Sequence, residues 1–375
     1  MIGTPPTFLF AGGGSGGHIS PALAIAERIR QLEHAARSLF ICSSRRIDSA
    51  MLSEAHARFH PTPASPFASR PAGLARFALN FRRTARTACD LIRGESVDRV
   101  VALGGFVSGP VVLGALRSRV PVTLVNLDDP PGRANRWIAR VSEEVLSAVE
   151  VRHRPFLPRR LGERVVGMPI RSSAIAPADP PTCRSGLGLD PHLPTLLVTG
   201  ASQGSGSING MLIELLSTSR WIFDRWQVLH LSGHSDQELL REAYARAAVP
   251  AEVKPFHHQM GLAWGAADVA ISRAGASSVA EAWANAVPTI FLPYPFHRDR
   301  HQHHNAQLMV DAGGAVIQPD ERTPEANARR AGPTLAALLK DPQRRQTMRA
   351  SLRALSKPDA ALEIARLLLA SPRKR

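Results

Sequence analysis

Short unbroken apolar runs alternate along this chain with stretches in which apolar residues recur every three or four positions. The first run, TFLFA at residues 7–11, leads into a glycine cluster and then into residues 21–29, where apolar positions fall at helical spacing. The same order of strand, glycine loop and helix recurs at residues 195–199 (TLLVT), 200–206 and 208–216. Further strands are expected at 39–42, 97–103, 122–125, 227–231, 269–272 and 289–292, with helical segments between many of them. Parallel neighbours need a long connection, which a helix supplies, so this alternation implies parallel sheets with crossover helices. Two such series predict an α/β protein of two Rossmann-like halves.

Residues 176–194 (APADPPTCRSGLGLDPHLP) are rich in proline and short of strand-formers, and are the expected linker. The division falls near residue 175, giving an N-terminal domain of 1–175 and a C-terminal domain of 176–375. Residues 323–369, rich in Ala, Leu and Arg, read as helices that can pack back on the first domain, ahead of a basic tail at 371–375. The longest uncharged run, residues 100–116, is at the lower limit for a membrane span. It contains Gly104, Gly105, Gly109, Gly114 and Pro110, and reads as buried strand, loop and helix start.

Composition narrows the class. Hydrophobic residues at 44% and charged residues at 21% are those of an ordinary globular protein. Cys42, Cys89 and Cys183 are scattered, without CxxC spacing or the density of a disulfide scaffold, which suits a reducing cytoplasm. Residues 1–10 have no basic start and a very short apolar stretch, so a signal peptide is not expected. The net charge of +15 implies an anionic partner without choosing between nucleic acid, phospholipid and a phosphate-bearing substrate. Lysine occurs only at Lys254, Lys340, Lys357 and Lys374, so arginine carries most of that charge.

The first glycine cluster, Gly12-Gly13-Gly14-Ser15-Gly16-Gly17-His18, joins a strand to a helix, where free N–H groups and the positive helix end favour phosphate or a developing oxyanion. No Lys-Ser/Thr pair follows, which excludes a Walker A loop. The spacing of Gly12, Gly14 and Gly17 also satisfies GxGxxG, the mark of a dinucleotide enzyme. Such an enzyme expects an acid at the end of the second strand for the ribose of NAD, whereas here Ser43, Ser44, Arg45 and Arg46 follow, an arrangement open to NADP. The plain alternative is a tight turn that binds nothing.

Six segments, in order, resemble the MurG family: AGGGSGGHISPALAIAERI (11–29), GGFVSGP (104–110), GMPIR (167–171), TGASQGSGSIN (199–209), SRAGASSVAEA (272–282) and PFHRDRHQHHNA (295–306). That resemblance implies a GT-B architecture, two Rossmann-like domains facing a cleft, with acceptor on the N-terminal side and UDP-sugar on the C-terminal side. It implies inverting transfer of N-acetylglucosamine from UDP-N-acetylglucosamine to lipid I at the inner face of a membrane, with no metal, cofactor or nucleic acid. The implied partners are a UDP-sugar, a polyprenyl-pyrophosphate-linked acceptor and an anionic membrane surface.

By position, donor-binding residues would be Ser15, Gly16, Gly17, Arg171, Ser202, Gln203, Gly204, Arg273, Ser278, Glu281 and Gln302; Gly14, Gly105, Ser108, Asn126 and Asn135 fall on the acceptor side. A carboxylate at Glu281, one turn into a helix after a strand end, can accept two ribose hydroxyls. The competing reading makes Ser278 and Glu281 an S-x-x-E capping box. An arginine fork at Arg171 suits a pyrophosphate leaving group. His297, His301, His303 and His304 lack HExxH spacing and companion cysteines, and read as surface polar residues. The chain departs from the family at two places. His301 replaces one of two adjacent glutamines, and Val125-Asn126-Leu127-Asp128, followed by Asp129, stands where the family carries H-E-Q-N.

Inverting transfer needs a base, and His18 at a helix start suits it, since a positive helix end favours the neutral imidazole. Asp128, beyond a strand end, is the competing base. Residues 74–93 place Leu74, Phe77, Ala78, Phe81, Ala85, Ala88 and Ile92 on one side of a helix flanked by Arg76, Arg82, Arg83, Arg86 and Arg93. This pattern suits docking on anionic lipid, or equally an ordinary helix with its apolar face in the core.

Overall fold

The computed structural model describes residues 5–13, 17–67, 70–151, 164–200, 204–296, 301–355 and 359–371. The chain forms two compact units, Met1–Arg171 with Pro358–Arg375, and Ser172–Lys357. In the first, strands β1 (Thr7–Ala11), β2 (Arg37–Ser43), β3 (Arg58–Thr62), β4 (Arg99–Ala102), β5 (Val122–Asn126) and β6 (Glu144–Ser147) form one sheet in the order β3-β2-β1-β4-β5-β6. All neighbours are parallel. The connections carry α1 (Ile19–Leu32), α2 (Arg46–Glu54), α3 (Pro71–Gly94), α4 (Gly105–Arg117) and α5 (Arg133–Val141).

Successive side chains of a strand point to opposite faces, and here both faces are covered. Phe8 and Phe10 of β1 join Ile19 and Ile25 of α1 in one core, while Leu9 and Ala11 join Ala88 of α3 and Val111 of α4 in the other. This is why β1 reads as an unbroken apolar run.

The second unit repeats the design with β7 (Thr195–Thr199), β8 (Gln227–Leu231), β9 (Ala251–Lys254), β10 (Val269–Ser272), β11 (Thr289–Phe291) and β12 (Ala315–Ile317), ordered β12-β11-β10-β7-β8-β9 and again parallel. Its helices are α6 (Pro180–Gly186), α7 (Gly206–Thr218), α8 (Gln237–Arg246), α9 (Met260–Ala266), α10 (Ala276–Ala284), α11 (His301–Asp311), α12 (Pro324–Lys340) and α13 (Pro342–Ala354). The final helix, α14 (Ala360–Ala370), packs on α1 of the first unit, with Ile364, Ala365 and Leu368 in that unit's core.

The segment expected as a linker is folded. Asp179 caps α6 by accepting from Thr182 N at 3.1 Å, and Arg184 at its end donates to Asp268 at 2.7 Å, so residues 176–194 belong to the second unit. Strands β3, β6, β9 and β12 are additions to the sequence reading. All four are sheet edges, and two of them are short polar runs, RFHPT and AEVK, where one exposed side removes the apolar pattern. Residues 100–116 form the end of β4, a loop and most of α4. No helix among the described residues is long and apolar enough to cross a membrane.

Candidate functional site

In each sheet the strand order reverses at one pair, β1/β4 and β7/β10, and loops at the carboxyl ends of such a pair diverge to leave a ligand crevice. Both glycine loops follow the first strand of the pair.

In the first unit, the loops after β1 and β4 meet at Gly104 and Gly105, whose φ angles are +115° and +74°. A Cβ on Gly104 would lie 2.9 Å from Asn135 Oδ1 and 3.2 Å from His18 Nε2, and one on Gly105 would lie 3.3 Å from His18 Cε1. The imidazole and the carboxamide therefore abut the glycine pair. His18 occupies the N-cap position of α1 without a side-chain capping bond, and its Nδ1 is buried with no hydrogen-bond partner among the described residues. Burial holds the His18 pKa below the ordinary histidine value, while the charges of Asp128 and Asp48 pull the other way. The two residues considered as base thus stand close enough to interact.

Asp48 was not singled out from sequence. It lies in the first turn of α2, fully buried, and Oδ2 accepts from Ser43 Oγ at 2.6 Å and from Ser43 N at 3.3 Å. The acid nearest the end of β2 is thereby committed to the strand itself. Its signal in the sequence was an aspartate one turn into the helix after a strand. Arg45 stacks over Phe106 at 5.5 Å.

Asn126 and Ser108, fully buried, hold this arrangement from beneath. Asn126 Nδ2 donates to the Asp128 carbonyl at 2.9 Å and to Ser147 Oγ at 3.1 Å, and Asn126 Oδ1 accepts from Asn135 Nδ2 at 2.9 Å. Ser108 Oγ lies 2.8 Å from the Ala11 carbonyl and accepts from Gly104 N at 3.0 Å, tying the ends of β1 and β4 together. Asn135 Oδ1, in contrast, is a buried acceptor with no partner among the described residues. Arg171 Nε pairs with Glu27 Oε1 of α1 at 3.0 Å. Gly17 is exposed at the end of the first loop, whereas Gly14, Ser15 and Gly16 lie outside the described residues.

In the second unit, Gly204 has φ +74°, and a Cβ there would lie 2.7 Å from Gly233 Cα and closer still to the Ser232 carbonyl, so this loop can pass the end of β8 only as glycine. Ser202 and Gln203 lie outside the described residues. Beneath the loop, His230 is fully buried; its Nε2 stands 3.0 Å from Asn209 Oδ1 and its Nδ1 2.9 Å from the Tyr244 hydroxyl. Asn209 Oδ1 can only accept, so the proton sits on Nε2 and Tyr244 donates to Nδ1. Burial pushes His230 down to about 3.

Arg273 is occupied by the scaffold. Nη1 donates to the Leu292 carbonyl at 2.8 Å and pairs with Asp320 at 2.7 Å, and Nη2 donates to Ser207 Oγ at 2.7 Å. Its guanidinium ties the ends of β10 and β11 to α7. Ser278 and Glu281 do not form a capping box, because the N-cap of α10 is Gly275 and Ser278 is already its third residue. Glu281 stands in the second turn, where its Oε2 accepts from Trp264 Nε1 at 2.9 Å. Gln302, second residue of α11, accepts from Tyr294 N at 2.8 Å through Oε1. His301, His303 and His304 lie on α11 and His297 falls outside the described residues, among which no group of three or more His, Cys, Asp or Glu is arranged to hold a metal.

The helix expected to dock on lipid divides in two. Thr84, Ala85, Ala88 and Ile92 are buried, while Leu74 and Leu79 in the first half are 45% and 50% exposed. Phe77 contacts Phe81 and Phe67, the last 60% exposed. Nearby in the fold, α5 packs on the same helix α4 as α3 and carries an open groove of about 240 Å³ lined by Arg133, Arg136, Trp137 and Arg140.

Residues 8–147 match the family model of the glycosyltransferase family 28 N-terminal domain, and residues 195–364 that of its C-terminal domain. A protein of Prosthecochloris aestuarii named UDP-N-acetylglucosamine--N-acetylmuramyl-(pentapeptide) pyrophosphoryl-undecaprenol N-acetylglucosamine transferase is 34% identical, covering 95% of this chain and 96% of its own. A protein of the same name from Alkalilimnicola ehrlichii is 34% identical over 99% of this chain and 100% of its own. Among solved structures, MurG of Acinetobacter baumannii superposes with a TM-score of 0.69 at 23% identity, covering 98% of this chain and 100% of that one. A UDP-glucosyltransferase from Polygonum tinctorium superposes at 0.67 with 16% identity, over 99% and 100%. These likenesses show the shared GT-B fold.

Proposed function

Because the chain belongs to glycosyltransferase family 28, and within it to the MurG transferases, we propose that it moves N-acetylglucosamine from UDP-N-acetylglucosamine to lipid I, giving lipid II. The observation that carries this reading is near-complete coverage, across both units, of curated relatives bearing that name. Family membership also sets aside the NADP oxidoreductase that the GxGxxG spacing had left open.

The acceptor hydroxyl forms its bond to the anomeric carbon as the bond from that carbon to the diphosphate breaks; UDP leaves and the hydroxyl proton passes to a base. His18 fits that role: burial keeps its imidazole neutral, as a base must be, and the unpartnered Asn135 Oδ1 beside the same glycine pair offers an acceptor to a sugar hydroxyl. In the second unit, Glu281 takes the ribose hydroxyls, the loop at Gly204 with the start of α7 takes the diphosphate, and Gln302 faces the sugar. The first half of α3 and the α5 groove join exposed apolar and aromatic side chains to arginines, which supports peripheral binding to an anionic membrane surface on its cytoplasmic face.

The rewritten segment Val125-Asn126-Leu127-Asp128 favours a second reading, in which the same UDP-sugar chemistry serves a different lipid-linked acceptor. Turnover of UDP-N-acetylglucosamine with lipid I separates the two. Release of UDP with formation of the disaccharide supports the first reading. Donor binding without turnover of lipid I refutes it and leaves the second.

A further inference from the structure

Glu281 lies in the second turn of α10, whose N-cap is Gly275, so its carboxylate does not cap the start of that helix. A glutamate on a half-buried helix face has three side-chain torsions, and recognition of a vicinal diol asks one carboxylate to present two acceptor positions at once. Something must therefore orient it. The residue in place to do so is Trp264 on α9, which is 1% exposed and packs in the same core as Cys183, Leu187 and Phe291. An indole has a single N–H and no acceptor, so a Trp locked by packing offers one fixed direction for a hydrogen bond. That N–H points at Glu281 Oε2 across 2.9 Å, a charge-assisted bond to an ionised acceptor.

The far end of α10 is held as well. Asn285, its C-cap residue, accepts from Ala176 N and donates to the Ala174 carbonyl, each at 2.8 Å. Both the carboxylate and the helix that carries it are fixed before any ligand arrives.

We propose that Trp264 is a positioning residue for donor recognition, its indole N–H holding the Glu281 carboxylate in the orientation that accepts the ribose hydroxyls. This rests on the reading of Glu281 as the ribose acceptor. Trp264 itself touches no substrate; it acts through Glu281, and its removal weakens selectivity for the diol before it weakens the fold.

The test compares binding of UDP and of 2′,3′-dideoxy-UDP to the full chain. The ratio of the dissociation constant of 2′,3′-dideoxy-UDP to that of UDP reports the diol contact alone. Trp264→Phe removes the N–H and should lower that ratio by about ten-fold, the scale on which an orienting partner of a binding group acts. Glu281→Gln should lower it at least as far, and the double variant no further. Replacing Trp264 with β-(3-benzothienyl)alanine, which keeps the ring volume and lacks the N–H, should reproduce the effect with an unchanged melting temperature. An unchanged ratio in both Trp264 replacements, with a reduced ratio in Glu281→Gln, overturns the proposal alone. An unchanged ratio in Glu281→Gln overturns the ribose reading, and the proposal with it.

Discussion

Replacing Arg273 with Met tests whether this residue serves the scaffold or the donor. In the structure its guanidinium pairs with Asp320, whose side chain is fully buried, and also reaches Ser207 and the Leu292 carbonyl. Burial pushes the Asp320 carboxyl up, but hydrogen bonds from Ser207, Asn327, the Arg322 backbone and Arg273 together outweigh it and hold the pKa below its ordinary value. Methionine fills most of the volume and supplies none of the donors. The carboxylate loses its counter-charge, and breaking one side of a buried pair costs about 3–5 kcal/mol. At roughly 2–4 °C per kcal/mol for a unit of this size, the melting temperature should fall by about 6–20 °C. The sign of the pH dependence follows from the depressed pKa: stability from the ionised Asp320 is present above the unfolded carboxyl value and is lost as pH falls through the folded one. The gap between parent and variant should therefore be widest near neutrality and narrow below about pH 4, where the unfolded carboxyl takes up its proton. Arg273→Lys should fall between, since one ammonium can meet Asp320 but not Ser207 and the carbonyl as well. Urea and thermal unfolding read the effect, alongside UDP affinity. A melting temperature within about 2 °C of the parent, well under the shift a broken buried pair implies, together with a large loss of UDP affinity, would refute the scaffold assignment.

Three further outcomes are expected. His18→Ala should lower kcat by about 10²–10⁴. The acid limb of kcat/KM in the parent should lie below the ordinary histidine value of about 6.5, and Asp128→Asn should move it lower still by removing a charge that raises the pKa. Near-parental kcat in His18→Ala with none in Asp128→Ala would pass the role of base to Asp128. For His230, held at about 3 when folded, the unfolded chain binds one more proton between that value and about pH 6.5. Stability should thus decline on acidification by up to about 1.4 kcal/mol per pH unit, and His230→Gln should flatten that slope; equal slopes would show that His230 does not titrate on unfolding. Finally, Phe77→Ser with Leu79→Ser should reduce flotation with anionic vesicles at low salt while leaving the melting temperature almost unchanged, because Leu79 is half exposed. Equal flotation with neutral vesicles would count against a charged lipid surface as the partner.

The apolar runs TFLFA and TLLVT, and the glycine loops after them, were enough to predict two parallel-sheet halves, because a strand covered on both faces must be apolar throughout. The family segments then marked His18, Gly105, Gly204 and Glu281 by position. Such local patterns are determined by the sequence alone: each depends on neighbours a few residues away. Edge strands such as β3 and β9 escaped because one side of them meets solvent and leaves no periodic signal.

Tertiary structure decided how those residues are used. The S-x-x-E spacing at Ser278 permits a capping box, but α10 starts three residues earlier, just after the chain leaves β10. The apolar stripe of α3 is continuous in sequence, yet the buried residues of that helix lie in its second half. Asp48 beside the first glycine loop, Trp264 behind Glu281 and Asp320 against Arg273 are separated from their partners by between 5 and 47 positions. No periodicity links such pairs. They meet because parallel crossovers carry the carboxyl ends of successive strands to one edge of a sheet, where side chains distant in the chain must satisfy one another's buried charges and hydrogen bonds.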